Sequence, residues 1–384
     1  VEGNASVFPE GPVSNLRQTP DNKKITLPSA VLAGSTIGGS SELRLIDRML
    51  VASRHLSSSD EWKRLIVQTA NLHEWLPITG LGGHATFGKQ GLETWIIDWK
   101  RPRSMHVALP RAKLEFANRM SATPSRQPTQ QIETGLDAIF TVRNREPIEA
   151  LYESYVLPLL DLSILASGRP DAVIHESTRK GRFDQAIILR AGTRVESREW
   201  QPMRPPLFYA RDLPDPRNGI KRWFRLHARL SPAIEVFTES INQGGWTPER
   251  LLKVASSLET YHRVLNEKAW RKSWRKANPN KKIGGRPYLL DRIDDLQRLS
   301  GVPEATTGMT SANRKLFTAS RNHFAHLDEP NYNYSVDQVR DSLFESIRRG
   351  VALMQVGLLR RLGFTGRQAR EQMAEHYRGW PPLL

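Results

Sequence analysis

No cysteine occurs anywhere in the 384 residues. That absence excludes a disulfide scaffold, a thiolate zinc site and a cysteine nucleophile together. A reducing cytosol is the simplest compartment for such a chain, so a cytoplasmic location is expected. Long apolar runs are missing too. No stretch reaches the roughly 18 apolar residues of a transmembrane helix, and even the segment from Leu151 to Leu165 is interrupted by Glu153 and Asp161. The N-terminus lacks a charged-then-apolar signal pattern, and a chain opening on Val1 leaves room for residues upstream. Acidic residues are scarce beside basic ones, 40 against 56, for a net charge of +16. What is present is a 39% apolar fraction, enough to bury real cores. The length exceeds what one small core organises, and two domains are expected.

The basic excess is uneven. Residues 1–215 hold 27 basic and 24 acidic side chains, whereas residues 216–384 hold 29 and 16. A positive field confined to the C-terminal part is the footprint of a polyanion partner. Its densest run is Lys268, Arg271, Lys272, Arg275, Lys276, Lys281, Lys282 and Arg286, with Trp270 and Trp274 interleaved. These cations can neutralise phosphates, and the indoles can stack on bases or pack on the core. A solvated loop is the competing reading. The run lacks an apolar face and is broken by Asn278-Pro279-Asn280 and Gly284-Gly285, which argues against a membrane surface.

Hydrophobic periodicity divides the chain in the same place. The first forty residues read as loop or short strands. Thr94 to Trp99, Ser104 to Leu109, Leu136 to Val142, Ala172 to His175 and Gln185 to Leu189 have strand character. Pro147 to Ala166 reads as one helix, kinked or split at Pro158. A proline-rich loop from Pro202 to Pro216 marks the expected boundary, giving domains 1–215 and 216–384. Beyond it the pattern is helical: Ile220–Leu230, Pro232–Asn242, a helix opened by Thr247-Pro248 and running to about Trp270, Pro287–Leu299, and Ser311 to His326. Ser335 and Gln338 form a capping box. It opens a long helix with Val336, Val339, Leu343, Ile347, Val351, Met354 and Leu358 on one face, a candidate packing element between copies or within the core. The fold class is therefore α+β, with a mixed, strand-containing N-terminal domain followed by an all-α bundle.

The stretch with chemistry in it is Arg321-Asn322-His323-Phe324-Ala325-His326, at the end of a helix. A histidine can shuttle a proton near neutral pH, and an arginine can grip a phosphate and offset its developing charge. Residues five apart lie about 140° apart around an α-helix, so Arg321 and His326 do not share a face, whereas Asn322 and His326 do. Arg321 and His326 converge only if the helix unwinds or if two copies meet. The bland reading is a pair of cations stabilising a helix C-terminus.

This C-terminal region resembles the HEPN superfamily, all-helical domains with an Arg-polar-x(3–5)-His motif, here Arg321, Asn322 and His326. The segment Ser257-Leu258-Glu259-Thr260-Tyr261-His262-Arg263 is similar to a leading HEPN helix with a glutamate and, four residues on, a basic residue. Arg263 stands where lysine is usual. Together with Leu159-Leu160-Asp161-Leu162 and Gly168-Arg169-Pro170, these segments make the chain resemble the ApeA type of antiphage protein, most firmly from about Gly219 to Gly363. The resemblance implies an HEPN bundle and a metal-independent RNA endonuclease without cofactor, acting in antiphage defence by 2′-hydroxyl attack, with transfer RNA among its possible substrates. It implies catalytic roles for Arg321, Asn322 and His326, auxiliary roles for Glu259, Arg263 and His323, and a homodimer or higher homo-oligomer with composite sites. It also implies a phage-derived trigger read by a sensing N-terminal domain. The rival readings are a non-catalytic RNA-binding module and a regulatory dimerisation module.

Other candidates carry less. His323 and His326 lack an evident third ligand, so no metal site is expected. The stretch Gly80 to Lys89 lacks the ending of a phosphate loop and reads as a loop. Trp75, Trp95 and Trp99 read as core.

Overall fold

The computed structural model describes residues 24–26, 30–35, 42–46, 48–52, 56, 60–76, 81–88, 91–100, 102–123, 131–180, 185–190, 205–243, 245–277, 288–327 and 333–378. The chain divides into two compact units: Val1–Leu160 with Asp171–Glu199, and Asp161–Pro170 with Trp200–Leu384.

The first unit is built on strands: β1 (Lys24–Thr26), β2 (Ala30–Ser35), β3 (Glu42–Ile46), β4 (Arg48–Ala52), β5 (Glu61–Thr69), β6 (Leu81–Gly88), β7 (Gly91–Trp99), β8 (Met105–Ala108), β9 (Ala112–Thr123), β10 (Gln131–Pro147), β11 (Val173–Arg179) and β12 (Gln185–Arg190). Eight form one antiparallel sheet in the order β1-β4-β12-β11-β5-β10-β9-β8, while β2–β3 and β6–β7 are separate pairs. The strands expected from sequence overlap β7, β8, β10, β11 and β12. The stretch from Gly80 to Lys89 is a correction: its residues 81–88 are a strand, pairing with β7 from Leu81↔Trp99 to Gly88↔Gly91. Main-chain pairing supplies this ladder, which is why a glycine-rich stretch forms it without the usual strand composition.

Trp62, Leu65, Leu114, Phe116 and Phe140 are fully buried. Helix α1 (Leu72–Trp75) adds Trp75, edge-on to Phe116 at 6.2 Å, so Trp75 is core as expected. The side chains of Trp95 and Trp99 lie outside the described residues. Helix α2 (Ile148–Leu151), a π-helical turn (Tyr152–Val156) and α3 (Leu157–Ser167) follow one another without a gap. Tyr155 meets Phe140 at 5.2 Å, and burial, with Glu146 nearby, pushes its phenol up to about 12. The irregularity expected at Pro158 appears just before it: Leu157 N–H reaches back to the Tyr152 carbonyl, a wide turn that absorbs the missing proline donor.

The second unit holds α4 (Pro216–Asn242), α5 (Pro248–Leu265), α6 (Glu267–Ala277), α7 (Leu289–Ser300), α8 (Glu304–Thr307), α9 (Ser311–His326), α10 (Val336–Asp341), α11 (Leu343–Leu362) and α12 (Gly366–His376). Three boundaries differ from the periodicity. The two helices expected at 220–230 and 232–242 are one, α4, with Pro232 inside it. Ile220, Trp223, Phe224, Leu230, Ile234, Phe237 and Ile241 form one buried stripe across the proline, and that burial outweighs one lost hydrogen bond. The helix expected to reach Trp270 breaks at Asn266 and restarts as α6. The Ser335 capping box is present, but the long helix after it breaks at Ser342.

Helix α11 is the centre of the bundle. Its residues from Ser346 to Val356 are buried in an unbroken row, against α4, α5, α7 and α9. Gly350 permits the closest approach, since a Cβ there would lie 2.6 Å from Val254 and 2.8 Å from Phe317. The apolar face proposed as a packing element between copies is thus consumed inside the unit, with Ile347, Val351, Met354 and Leu358 all buried. No helix among the described residues is long and apolar enough to cross a membrane.

Candidate functional site

Helix α9 carries the Arg-x4-His stretch. Its start is fixed by Thr310, whose hydroxyl accepts from Asn313 N–H at 3.3 Å. Phe317 to Ser320 are buried, so the turns that follow are held against the bundle. The helix stays regular to His326 and closes at Leu327, which adopts φ 57° and donates its N–H to the His323 carbonyl at 2.7 Å. Because it does not unwind, Arg321 and His326 stay on different faces. Asp328 to Asn331, the expected stop, lie outside the described residues.

Arg321 is half-buried and braced. Its Nη1 donates to Asn322 Oδ1 at 3.0 Å, and its Nη2 lies 4.0 Å from Glu259 Oε2 on α5. Asn322 therefore orients the arginine. Glu259 and Arg321 stand sixty-two positions apart in the chain, yet the α5–α9 packing brings them together. Glu259 Oε1 in turn lies 3.9 Å from Arg292 Nε on α7. Arg292 Nη1 donates to Glu267 Oε2 at 3.2 Å and stands 3.4 Å from His262 Nδ1.

His262 is fully buried, and its Nε2 meets Asp295 Oδ2 at 3.0 Å. A carboxylate thus stands at one ring nitrogen and a guanidinium at the other. Burial alone would push the Asp295 carboxyl up. Hydrogen bonds from His262 and Arg298, with their charges, outweigh it and hold Asp295 below its ordinary range.

The other expected residues sit apart from this brace. Arg263 is exposed on α5, and the partners of Glu259 are Arg321 and Arg292. His323 is half-buried with its ring 5.1 Å from Phe324, and His326 is exposed, with no hydrogen-bond partner among the described residues. Among the described residues no group of three or more His, Asp and Glu is placed to hold a metal ion.

Residues 267–277 of the basic run are helix rather than loop. Lys268, Lys272 and Lys276 are exposed and four apart, which aligns them on one face, with Arg271 on an adjoining row. Arg275 lies on the same helix. Lys281, Lys282 and Arg286 lie outside the described residues. Trp270 is turned inward, its ring 4.7 Å from His262 and 5.7 Å from Trp274. One indole thus ties the basic helix to the histidine behind Arg321.

Sequence reasoning missed the Arg292–His262–Asp295 brace, because its members belong to α5 and α7 and only packing joins them. It also missed Arg217, Lys221, Arg225 and Arg229, a row four apart along α4 whose arginines are exposed. The spacing of those residues was a readable signal.

The helical unit thus ends α9 in an Arg-polar-x3-His stretch whose arginine is braced by Asn322 and Glu259. Residues 252–368 match the family model described as Apea-like HEPN, and this part of the chain is a domain of that family. The match contains Glu259, His262, Arg292, Arg321, Asn322 and His326. Neither the curated proteins nor the solved structures yield a match.

Proposed function

We propose that the chain is a metal-independent RNA endonuclease of HEPN type acting in antiphage defence. The observation that carries this reading is the Glu259-braced Arg321 beside Asn322, one turn from an exposed His326, inside the Apea-like HEPN match. The chemistry is transesterification. The RNA 2′-oxygen attacks the adjacent phosphorus, the bond to the 5′-oxygen breaks, and the products are a 2′,3′-cyclic phosphate and a 5′-hydroxyl. One His326 takes the 2′-hydroxyl proton and a second returns one to the leaving oxygen. Arg321 stabilises the charge on the non-bridging oxygens, and Asn322 holds Arg321.

That scheme needs two histidines, and one regular helix cannot turn Arg321 and His326 to the same phosphate. A homodimer with α9 ends facing each other supplies both. Leu327, 83% exposed and held at positive φ beside His326, is the kind of apolar side chain a second copy would cover. The exposed cations of α6 would then hold the RNA backbone, and residues 1–215 would restrain the nuclease or sense infection, with residues 216–384 as the nuclease domain. Transfer RNA is the substrate to try first.

The test is RNA cleavage in EDTA by the intact chain, Arg321→Ala and His326→Ala, with the product ends identified. Cyclic-phosphate ends that vanish in both variants support the reading. Equal cleavage by all three proteins overturns it.

A further inference from the structure

Away from the Arg321 cluster, the helical unit contains a pocket lined by Trp246 and Arg250 near the start of α5, Arg348 and Gln355 of α11, and His376 and Tyr377 at the end of α12. Its cations outnumber its anions. Arg348 Nη1 donates to Glu345 Oε1 at 2.8 Å, and the same carboxylate lies 3.8 Å from Arg349. Arg250 makes no ion pair among the described residues. Its Nη1 donates to the Gly245 carbonyl at 2.9 Å, its guanidinium lies 4.5 Å from the Trp246 ring centre, and its Nε is buried without a hydrogen-bond acceptor. Burial holds this guanidinium below the ordinary arginine range. Arg250 as a whole is half-buried. A partly buried cation that meets no anion among the described residues is left with a carbonyl and a ring face, neither of which replaces a full negative charge.

The rest of the wall combines the apolar side chains of Ile241 and Val351 with hydrogen-bonded polar groups. Tyr377 donates to Gln355 Oε1 at 2.9 Å, and His376 Nδ1 donates to the Pro205 carbonyl at 2.9 Å. Gly168 closes the wall at φ +65°, where a Cβ would lie 2.4 Å from the His376 ring, so only glycine fits.

We propose that this pocket binds the oxyanion group of a small ligand, phosphate or carboxylate, with Arg250 as its fork and Trp246 as a flat surface for the remainder. Trp246 is 39% exposed and so is open to such a ligand. The proposal is independent of the nuclease reading, since it requires no cleavage and uses none of the residues of that site.

The test is calorimetric titration and thermal denaturation with inorganic phosphate and, separately, citrate, against chloride at matched ionic strength. The intact chain is compared with Arg250→Gln and with Arg367→Gln, a 79% exposed arginine as control. An anion that binds the intact chain and the control should bind Arg250→Gln about ten- to a hundredfold more weakly. Without anion, Arg250→Gln should melt no lower than the intact chain, because the uncompensated charge is gone. Tighter binding of phosphate or of citrate distinguishes the two ligand chemistries. Equal binding by Arg250→Gln places the anion elsewhere on the basic surface and overturns the proposal, as does the absence of an anion effect on any protein. Should Arg250→Gln fail to fold, Arg250→Lys decides, since it keeps the charge and loses the fork: unchanged affinity for both anions overturns the proposal.

Discussion

The helical unit contains two buried histidine–aspartate pairs with opposite surroundings. In one, His227 Nε2 meets Asp161 Oδ2 at 2.8 Å while Thr238 donates to Asp161 Oδ1 at 2.6 Å, and all three side chains are buried. That cluster satisfies its own polar atoms and joins α3 to α4. In the other, His262 and Asp295 are equally buried, but the hydrogen bonds lead outward. Asp295 accepts from Arg298, which is largely exposed, and His262 meets Arg292, which leads through Glu259 to Arg321. The same residue pair seals a core in one place and stiffens a surface arginine in the other. A buried His–Asp pair is therefore not a functional signal until its connections are traced.

The comparison can be broken by mutation. The largest effect is expected outside both pairs: Arg321→Ala or His326→Ala should lower RNA cleavage about 100- to 10,000-fold, with RNA affinity and melting temperature nearly unchanged. Activity surviving in either would remove that residue from the chemistry. Next come the pairs themselves. Asp161→Ala and Asp295→Ala should each cost on the order of 3 kcal/mol in urea unfolding, because each strands a buried partner. Only Asp295→Ala should also lower the cleavage rate of the folded protein, by about tenfold, through a loosened Arg321. Equal rates in the two variants would make both pairs purely structural.

A third distinction is electrostatic. Replacing Lys268, Lys272 and Lys276 by Gln should flatten the salt dependence of RNA binding by about 2 in the log–log slope. Arg321→Ala should barely alter that slope. If the lysine variant abolishes function while Arg321→Ala leaves it intact, a binding module replaces the nuclease.

The fourth concerns acid. The folded Asp295 carboxyl titrates below its unfolded value of about 4. Its contribution is therefore fully present above that pH and is lost as pH falls through the folded value. Melting curves of the intact chain between pH 6 and pH 3 should fall more steeply than those of Asp295→Asn, and parallel curves would contradict the linkage. The smallest effect tests the bundle alone. Ser335→Ala removes the hydroxyl that accepts from Gln338 N–H at 3.2 Å and should cost about 1 kcal/mol without altering cleavage.

Much of this was legible in the chain. The α9 boundaries, the caps at Thr247 and Ser335, and four of the eight strands of the large sheet follow from residue order, because capping and alternation are local properties. Two of the errors share a cause. Pro232 reads as a helix break and Gly80–Lys89 reads as a loop, but burial of a shared stripe and pairing with β7 override those local preferences. For the candidate site, Arg321, Asn322 and His326 stand together in sequence, whereas the residues that brace them come from α5 and α7.

By itself, the sequence determined the class of each half, the basic character of the second, and the helix end where arginine and histidine stand five apart, since composition, periodicity and capping act over a few residues. The tertiary structure alone decided that Glu259 faces Arg321, that His262 is buried behind it, that the apolar face of α11 is core, and that half-buried Arg250 meets no carboxylate among the described residues. Each of these depends on which distant helices touch, and helix packing is fixed by the fit of whole faces, which no local pattern records.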